Sequence, residues 1–394
     1  MQVKSMLRIL AIIAFFIGLD SLIVSPLLPA ISRTTGIPTE KGGLFITAYA
    51  LCYGITAPFF GSLSDKVGRK QMIVIGLIIF SVATFCTGLT NHFGTILLFR
   101  GLTGLSGAMI MPSIFALVGD KVPYQSRGKA MGMIMGAMVG STVLGVPIGA
   151  FLSEVGNWQW TFYFIGLLAF LVTMIASQVL EKEVPKNQLS ISATRAMIQS
   201  CKVVFTNSSV FFALLATLLW TVGLHGMFSY IGVYYERNFS FTIGQTGIVI
   251  FFAGLGSVIV NIVGGKLADK VGKKIVVSIA SVIASVSVIT FSLYIDYIKI
   301  AIMAHMVWSI FIGFGQASLT ALISELSPAI RGTVMALNSS AMYVGMTIAS
   351  GTAAFALSQG LPFVSLGIIC AIASLLVLPM IHFFIREKVT PNKN

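Results

Sequence analysis

The sequence predicts an all-α integral membrane protein whose twelve transmembrane helices form two pseudo-symmetric six-helix bundles. Three observations predict this fold. The 394-residue chain is 56% hydrophobic and only 9% charged, with a mean hydropathy of +0.96, whereas soluble domains carry about 25% charged residues. Apolar runs of about 20 residues, long enough to cross a bilayer as a helix, recur along the chain. A nearly identical charged decapeptide stands at 61–70, GSLSDKVGRK, and at 265–274, GKLADKVGKK.

The apolar runs define the predicted spans, and a single long polar break divides them. Lys4 and Arg8 precede the first run as in a signal peptide, but that run is too long and has no small-residue cleavage site, so it should remain a membrane helix. The break at 181–207 predicts an N-terminal bundle (1–180), a cytoplasmic linker (181–207) and a C-terminal bundle (208–394). The predicted spans are 8–31, 42–61, 72–91, 94–118, 130–153, 158–180, 208–231, 243–264, 275–295, 297–320, 333–356 and 361–385.

Basic residues are concentrated on one side of this topology. The net charge is +13, and 20 of the 25 Lys and Arg fall on the side of the N-terminus, four fall on the other side, and Arg100 lies within a span. This positive-inside pattern predicts that both termini are cytoplasmic, as in a multi-pass protein of a bacterial inner or plasma membrane. No basic stretch is interleaved with aromatic residues, so a nucleic-acid partner is not expected.

Catalytic and metal-binding chemistry have little support in the sequence. The four cysteines stand singly, so neither a disulfide framework nor a metal site is predicted. No Gly-x-x-x-x-Gly-Lys-Ser/Thr stretch occurs, which argues against an ATP-driven pump. Residues 104–107, Gly-Leu-Ser-Gly, superficially resemble the nucleophile site of rhomboid proteases, with His225 or His305 as a candidate base. Twelve helices in two repeats do not fit that class, and the chain is not expected to be an enzyme.

The repeated decapeptide lies between the second and third span of each half, which identifies the halves as internal repeats. Its glycines permit a tight turn, its aspartate can cap a helix, and its basic residues lie at the membrane surface. An ordinary positively charged hairpin is the alternative, but it needs no glycine and aspartate at the same offsets twice. The residues are Gly61, Asp65, Gly68, Arg69 and Lys70 in the first copy and Gly265, Asp269, Gly272, Lys273 and Lys274 in the second.

Asp20 is the one acidic residue predicted to lie deep within a span. An ionisable group there points to function, and burial favours the protonated form of a carboxyl group, so Asp20 is a candidate proton site. Arg100 is its expected partner, because Asp20 lies roughly 18 Å from the inner edge and Arg100 roughly 9 Å from the outer edge of a core about 30 Å thick. The alternatives are that Asp20 only hydrogen-bonds a neighbouring helix and that Arg100 extends to the outer interface.

The decapeptide resembles the signature loop of the major facilitator superfamily, which implies the major facilitator fold and transport by alternating access. By this resemblance, Asp65 pairs with the opposite half and closes the cytoplasmic side in the outward-facing state. FRGLTGLSGAM at 99–109 and LDSLIVSPLLP at 19–29 resemble the helix 4 and helix 1 motifs of the twelve-helix drug/proton antiporters, in which an arginine supports proton transfer. These motifs imply roles in proton coupling for Asp20 and Arg100.

The fifth span approximates the antiporter motif of helix 5, with glycines four residues apart that predict close helix packing. Gly145-Val146-Pro147 replaces the usual adjacent glycine and proline. Sugar and purine exporters of the family have a similar form of this motif. The motif residues are Gly136, Gly140, Gly145, Pro147 and Gly149. His225 resembles a helix 7 position of those exporters, which makes it a candidate substrate contact. Polar or aromatic character within apolar spans adds Tyr230, Trp308, Gln316, Asn338 and Tyr343 as further candidates. A packing role is the alternative for each of the six.

The expected function is therefore proton-coupled efflux of a small organic molecule, drug-like or a metabolite. A proton-coupled importer or a facilitator of a sugar, nucleobase or similar metabolite on the same fold is the alternative. The expected partners are the substrate, protons and the lipid bilayer. The chain is expected to act as a monomer without a cofactor, driven by the proton gradient.

Overall fold

A computed structural model of the chain describes residues 2–181, 202, 207–326 and 331–385, with side chains described except at 2, 62, 65, 124–125, 128, 261–269 and 331–333. These residues contain twelve helical spans long and apolar enough to cross a membrane. The spans are α1 (Gln2–Thr35), α2 (Gly43–Val67), α3 (Arg69–Leu89), α4 (Phe93–Lys121), α5 (Tyr124–Gly140, the π-helical Ser141–Gly145 and Val146–Val155), α6 (Trp158–Val179), α7 (Ser208–Phe228 and Ile231–Phe239), α8 (Ile243–Val271), α9 (Lys273–Leu293), α10 (Ile298–Leu326), α11 (Arg331–Ser358) and α12 (Phe363–Pro379 and the π-helical Met380–Phe384).

The predicted fold class and number of spans are confirmed, but the helices extend beyond the apolar runs. α1 begins at Gln2 and α4 continues to Lys121, because a helix satisfies its own backbone hydrogen bonds as it leaves the hydrocarbon. Prolines within α1, α2 and α4 do not end these helices, which is common in membrane helices because neighbouring helices and hydroxyl side chains can satisfy the freed backbone groups. The domain boundaries remain a prediction, and most of the linker at 181–207 lies outside the described residues.

The two halves repeat the same helix packing. In the first half α2 packs against α4, α3 against α4 and α6, and α1 against α5 and α6. In the second half α8 packs against α10, α9 against α10 and α12, and α7 against α11 and α12. Each pair of the first half reappears six helices later, which is the pseudo-symmetry that the sequence repeat predicts.

The repeated loop has the same backbone conformation in both halves. Gly68 has φ 100° and ψ 136°, and Gly272 has φ 104° and ψ 133°. Each glycine carbonyl accepts the hydrogen bond that starts the next helix, from Met72 N at 3.1 Å and from Val276 N at 3.2 Å. A side chain disfavours this positive φ, so glycine is required at both positions.

We call the face where α1 begins the terminal face and the opposite face the distal face. The halves meet where α2 packs against α11, α5 against α8, and α1 against the second part of α7. In the distal half of the molecule Thr47 of α2 is hydrogen-bonded to Ser350 of α11 at 2.8 Å. A Cβ at Gly247 of α8 would lie 2.8 Å from Cβ of Ala150 on α5. The distal side is therefore closed.

The terminal part of α5 packs against α1 on one face, whereas the face that carries its glycines is open. Apart from its chain neighbours and its own helix backbone, a Cβ at Gly132, Gly136 or Gly140 would meet no atom of the described residues within 4 Å. Close packing around Gly136 and Gly140, which their spacing predicts, is therefore not present in this conformation. The reason is that the contact of α5 with α8 lies on the distal side of these glycines, along Ser141–Gly145 and Val146–Val155.

We expect Gly68→Ala to lower the free energy of unfolding by about 1–3 kcal/mol, because a Cβ makes a positive φ strained. The measurement is the melting temperature of the purified protein in detergent. Gly61→Ala is the matched control, since its Cβ would only reach ordinary contact with Pro112 at 3.8 Å. Equal melting temperatures for the two variants would contradict the assignment.

Candidate functional site

Asp20 on α1 and Arg100 on α4 form a buried ion pair in the first half. Nη1 of Arg100 lies 2.7 Å from Oδ2 of Asp20, and Nη2 donates a hydrogen bond to the backbone carbonyl of Asp20 at 3.0 Å. Both residues are 0% exposed. Arg100 therefore does not extend to the membrane surface, and Asp20 is paired with a cation.

Glycines of α4 allow α2 to approach this ion pair. A Cβ at Gly104 would overlap the backbone of Tyr49, and a Cβ at Gly107 would lie 3.0 Å from ring atoms of Tyr53. Small residues are what permit such close contacts between membrane helices. The glycines of the FRGLTGLSGAM stretch thus pack α4 against α2 and bring Tyr49 beside Arg100.

Two tyrosines of α2 connect the ion pair to the second half. The guanidinium carbon of Arg100 lies 4.9 Å from the ring centroid of Tyr49, which is the geometry of a cation–π contact. Tyr343 of α11 stacks on Tyr53, with ring centroids 3.6 Å apart and an interplanar angle of 25°, and its centroid lies 6.1 Å from that of Tyr49. We call Tyr49, Tyr53 and Tyr343 the tyrosine cluster.

Three buried polar atoms at this place have no hydrogen-bond partner among the described residues. They are Oδ1 of Asp20, Nε of Arg100 and the hydroxyl of Tyr49. Buried polar groups in native proteins are nearly always paired. These three atoms therefore keep hydrogen-bonding capacity that no described residue uses.

The remainder of the α5 motif packs tightly against α1. A Cβ at Gly145 would lie 3.0 Å from Leu19, and a Cβ at Gly149 would lie 2.5 Å from Ile23. These residues flank Asp20 in sequence, so the distal part of α5 helps to fix the helix that carries the carboxylate. Pro147 follows the π-helical segment and lies opposite Gly247 of α8.

The repeated loops contact equivalent acidic residues within their own halves. Arg69 Nε lies 3.3 Å from Asp120 at the end of α4, and Lys273 Nζ lies 3.0 Å from Glu325 at the end of α10. Asp120 and Glu325 are each the last residue but one of the fourth helix of their half, so the two contacts are equivalent.

The last residue of each loop is a lysine that donates to a backbone carbonyl. Lys70 bonds to Ser177 O at 2.6 Å, and Lys274 bonds to Ile385 O. The side chains of Asp65 and Asp269 lie outside the described residues, and so do the surroundings of Gly265. The expected contact of Asp65 with the opposite half therefore stays a prediction.

Charged residues link the halves at the distal face. Arg33 of α1 pairs with Glu236 of α7, and Arg237 Nη2 lies 2.7 Å from Oε1 of Glu40, which precedes α2. We call these two ion pairs the distal latch. A cavity of about 550 Å³ adjoins the latch between α1, α5, α7 and α8, and its lining includes neither Asp20 nor Arg100.

The structure places Tyr230 in this closed region rather than near the ion pair. Its hydroxyl donates to the carbonyl of Glu40 and accepts a hydrogen bond from Gly43 N at 3.0 Å. Tyr230 therefore joins α7 to the start of α2. Of the six nominated substrate contacts, Tyr343 is the one that the structure brings into the tyrosine cluster.

The other nominated residues are distributed through the second half. Trp308 is buried, with its ring 6.1 Å from that of Phe291, and Asn338 accepts a hydrogen bond from Thr217 at 2.7 Å. Gln316 donates to Thr320 at 3.1 Å, and His225 lies edge-on to Phe228. His305, which the protease alternative invokes, is hydrogen-bonded to Tyr235 at 2.9 Å. Within the described residues no cluster of three metal-ligating side chains occurs.

Two related six-helix halves that meet and close at one face are the architecture of a membrane transporter. The sequence pattern of the Major Facilitator Superfamily matches residues 10–350 and 234–394, and the chain belongs to this family of multi-pass, non-enzymatic membrane transporters, which bind small-molecule substrates.

Curated relatives and a solved structure agree with this assignment. The chain is 27% identical over 348 residues to the uncharacterized MFS-type transporter YceJ of Bacillus subtilis, covering 87% of each chain. It is 25% identical over 362 residues to multidrug resistance protein 2 of the same organism, covering 90% of this chain and 89% of the relative. Quinolone resistance protein NorA of Staphylococcus aureus is 35% identical over 167 residues, or 42% of each chain. A crystal structure of a D-xylose-proton symporter superposes with a TM-score of 0.79 at 15% identity over 98% of this chain and 99% of its own.

Sequence reasoning missed several residues of the site. Tyr49 and Tyr53 stand four residues apart in TAYALCYG, a spacing that places both on one helix face. That spacing alone does not say which helix they face. Likewise, the latch residues Arg33, Glu40, Glu236 and Arg237 lie at helix ends, where charged residues are ordinary.

We expect Asp20→Asn and Arg100→Met each to destabilise the protein strongly, and the double variant to lose much less than the sum. Leaving one buried charge without its partner costs about 3–5 kcal/mol. The free energy of unfolding is measured in mixed detergent micelles as a double-mutant cycle. The control cycle uses Lys121→Met and Glu181→Gln, an exposed pair at 3.0 Å, for which a coupling of about 0–1 kcal/mol is expected. Additive effects at Asp20 and Arg100 would show that the pair is not energetically coupled.

Proposed function

We propose that this transporter exports a small organic molecule, drug-like or a metabolite, in exchange for protons. The terminal face is cytoplasmic in this proposal, as the distribution of basic residues suggests, and the membrane is that of a bacterial cell. The protein acts as a monomer, and the proton gradient replaces any cofactor. The conformation described above is then the inward-facing one, since its distal face is closed.

The buried ion pair is the observation that carries the proposal. Asp20 can hold a proton, and its charge state changes the field on Arg100 at 2.7 Å. In its ionised form Asp20 is neutralised by Arg100. When Asp20 is protonated, the Arg100 guanidinium no longer faces a carboxylate. Its neighbours are then the ring of Tyr49 and the backbone carbonyl of Asp20, which are both neutral. The two protonation states therefore favour different arrangements of the surrounding helices.

The proposed cycle uses this difference. Asp20 releases its proton to the cytoplasm, and substrate binds from the same side. The halves then rock, the distal latch opens, and protonation of Asp20 from outside weakens substrate binding. The protonated transporter returns to the inward-facing conformation. A proton crossing about 100 mV and one pH unit supplies about 2.3 plus 1.4 kcal/mol, enough for a large outward substrate ratio.

Export is favoured over import by the helix 1, 4 and 5 motifs and by relatives named for multidrug and quinolone resistance. Import with protons is the second candidate, because the superposed crystal structure is titled a D-xylose-proton symporter. At 15% identity that likeness concerns the fold alone. The two candidates differ in the direction in which substrate moves against the proton.

We expect substrate to drive protons out of inside-out membrane vesicles that contain this transporter. The vesicles carry a pH-sensitive dye and an acidic interior, and a fluoroquinolone, a lipophilic cation, a pentose and a nucleobase are added in turn. Under antiport, an exported substrate raises the internal pH. Asp20→Asn should abolish the rise, because an amide cannot take up the transported proton.

Asp296→Asn is the matched control, since Asp296 is an exposed acid outside the spans, and it should respond like the wild type. A substrate-driven acidification of the vesicle interior would favour proton-coupled import. An equal rise in the wild type and in Asp20→Asn would remove Asp20 from the mechanism.

We expect the double variant Glu40→Gln/Arg237→Gln to open the distal face more often than the wild type, since it loses one ion pair of the latch. Spin labels on His92→Cys and Gln359→Cys, in a chain without native cysteines, report the distance between distal loops of the two halves. Lys121→Gln, which loses an ion pair within one half, should leave the distance distribution unchanged. A wild-type distribution in the latch variant would show that the latch does not hold this face closed.

A further inference from the structure

We propose that Tyr343 of α11 is a positioning residue through which the protonation state of Asp20 acts on the second half. The inference rests on the proposed function and deepens it, because proton coupling requires that a charge buried in one half be felt by the other. The contacts that carry it run from Asp20 through Arg100 and Tyr49 to Tyr343.

The first step joins the ion pair to α2. Arg100 contacts Asp20 on one side and the ring of Tyr49 on the other, with the guanidinium carbon 4.9 Å from the ring centroid. A cation over an aromatic ring is attracted more strongly when it is removed from water. When Asp20 is neutral, Arg100 has no carboxylate partner. The cation–π contact with Tyr49 then supplies a larger share of the stabilisation of the guanidinium.

The second step joins α2 to α11 across the boundary between the halves. Tyr343 stacks on Tyr53 at 3.6 Å and lies 6.1 Å from Tyr49. Gly54 permits this approach, since a Cβ there would lie 3.2 Å from the backbone nitrogen of Val344. A movement of the Tyr49 ring therefore reaches Tyr343 through direct packing.

The third step concerns the groups that surround Asp20. Arg100 from α4, Tyr49 and Tyr53 from α2, and Tyr343 from α11 are the titratable or charged side chains of this cluster. Oδ1 of Asp20, Nε of Arg100 and the hydroxyl of Tyr49 lack partners among the described residues. The cluster therefore has polar atoms free to form new hydrogen bonds when the charge on Asp20 changes. Tyr343 is the member of this cluster that belongs to the second half.

The proposal predicts that Tyr343 is required for Asp20 to influence the conformation. Spin labels on His92→Cys and Gln359→Cys are measured without substrate, so the readout does not depend on export. Asp20→Asn mimics the protonated state and should shift the populations of the two conformations by about fivefold or more, the usual lower range of allosteric coupling. In a Tyr343→Ala background, Asp20→Asn should produce no further shift.

Tyr343→Phe should behave like the wild type, because it keeps the stacked ring. Tyr163→Ala is the control for loss of a tyrosine, since the ring of Tyr163 packs on Phe85 within the first half, and it should leave the effect of Asp20→Asn intact. An undiminished effect of Asp20→Asn in the Tyr343→Ala background would overturn the proposal.

A transport readout separates this proposal from the proposed function. In the vesicle assay, Tyr343→Ala should lower the number of protons moved per substrate while substrate affinity is unchanged. A loss of affinity with an unchanged ratio would instead make Tyr343 a substrate contact and overturn the coupling role. Absence of substrate-driven proton movement in the wild type would reject the proposed function, whereas the distance measurement still tests the link between Asp20 and Tyr343.

Discussion

The ion pair between Asp20 and Arg100 imposes the constraint on which the rest of the first half depends. A charged side chain at the centre of a membrane helix costs about 2.5–3.5 kcal/mol on insertion scales, and each of these two residues offsets that cost for the other. The pair must be held at contact distance by helices that have no hydrophobic driving force toward each other in lipid. Close packing of small residues replaces that force, and the glycines at 104, 107, 145 and 149 lie where it is needed.

This requirement also explains why aromatic side chains surround the arginine. α2 lies close enough to α4 for the ring of Tyr49 to cover Arg100, and the ring excludes water while still attracting the cation. The same helix carries Tyr53, which forms the stacked contact with Tyr343. One helix of the first half is thus shared between the charged site and the boundary with the second half.

Much of this arrangement could be predicted from the sequence, because the controlling signals are local. Apolar length fixes the spans, the repeated decapeptide fixes the relation between the halves, and a lone acid within a span identifies Asp20. Depth along α1 and α4 was enough to pair it with Arg100. The tyrosine cluster could not be predicted in the same way, because Tyr49 and Tyr343 are 294 residues apart (343 − 49) and meet only through the packing of α2 against α11.

The open face of Gly136 and Gly140 and the position of Tyr230 have a related explanation. A transporter has more than one conformation, and a helix face that is open in one of them can be packed in another. The spacing of small residues identifies a helix face that can pack, but it does not identify the conformation in which that face is packed. The polar character of Tyr230 within an apolar span predicts a substrate contact, whereas the structure places its hydroxyl against Glu40 and Gly43 of the other half.

The pseudo-symmetry of the fold also shows how the two repeated halves can differ in function at equivalent positions. Arg100 is the eighth residue of α4, which begins at Phe93, and His305 is the eighth residue of α10, which begins at Ile298. Where one copy carries a permanent cation beside a carboxylate, the other carries an imidazole bonded to Tyr235. The two halves share the helix packing and the glycine turns. The free-energy cost of burying the Asp20–Arg100 ion pair falls on the first half. The other copy is thereby free to change its interior without disturbing the charge that the first must keep.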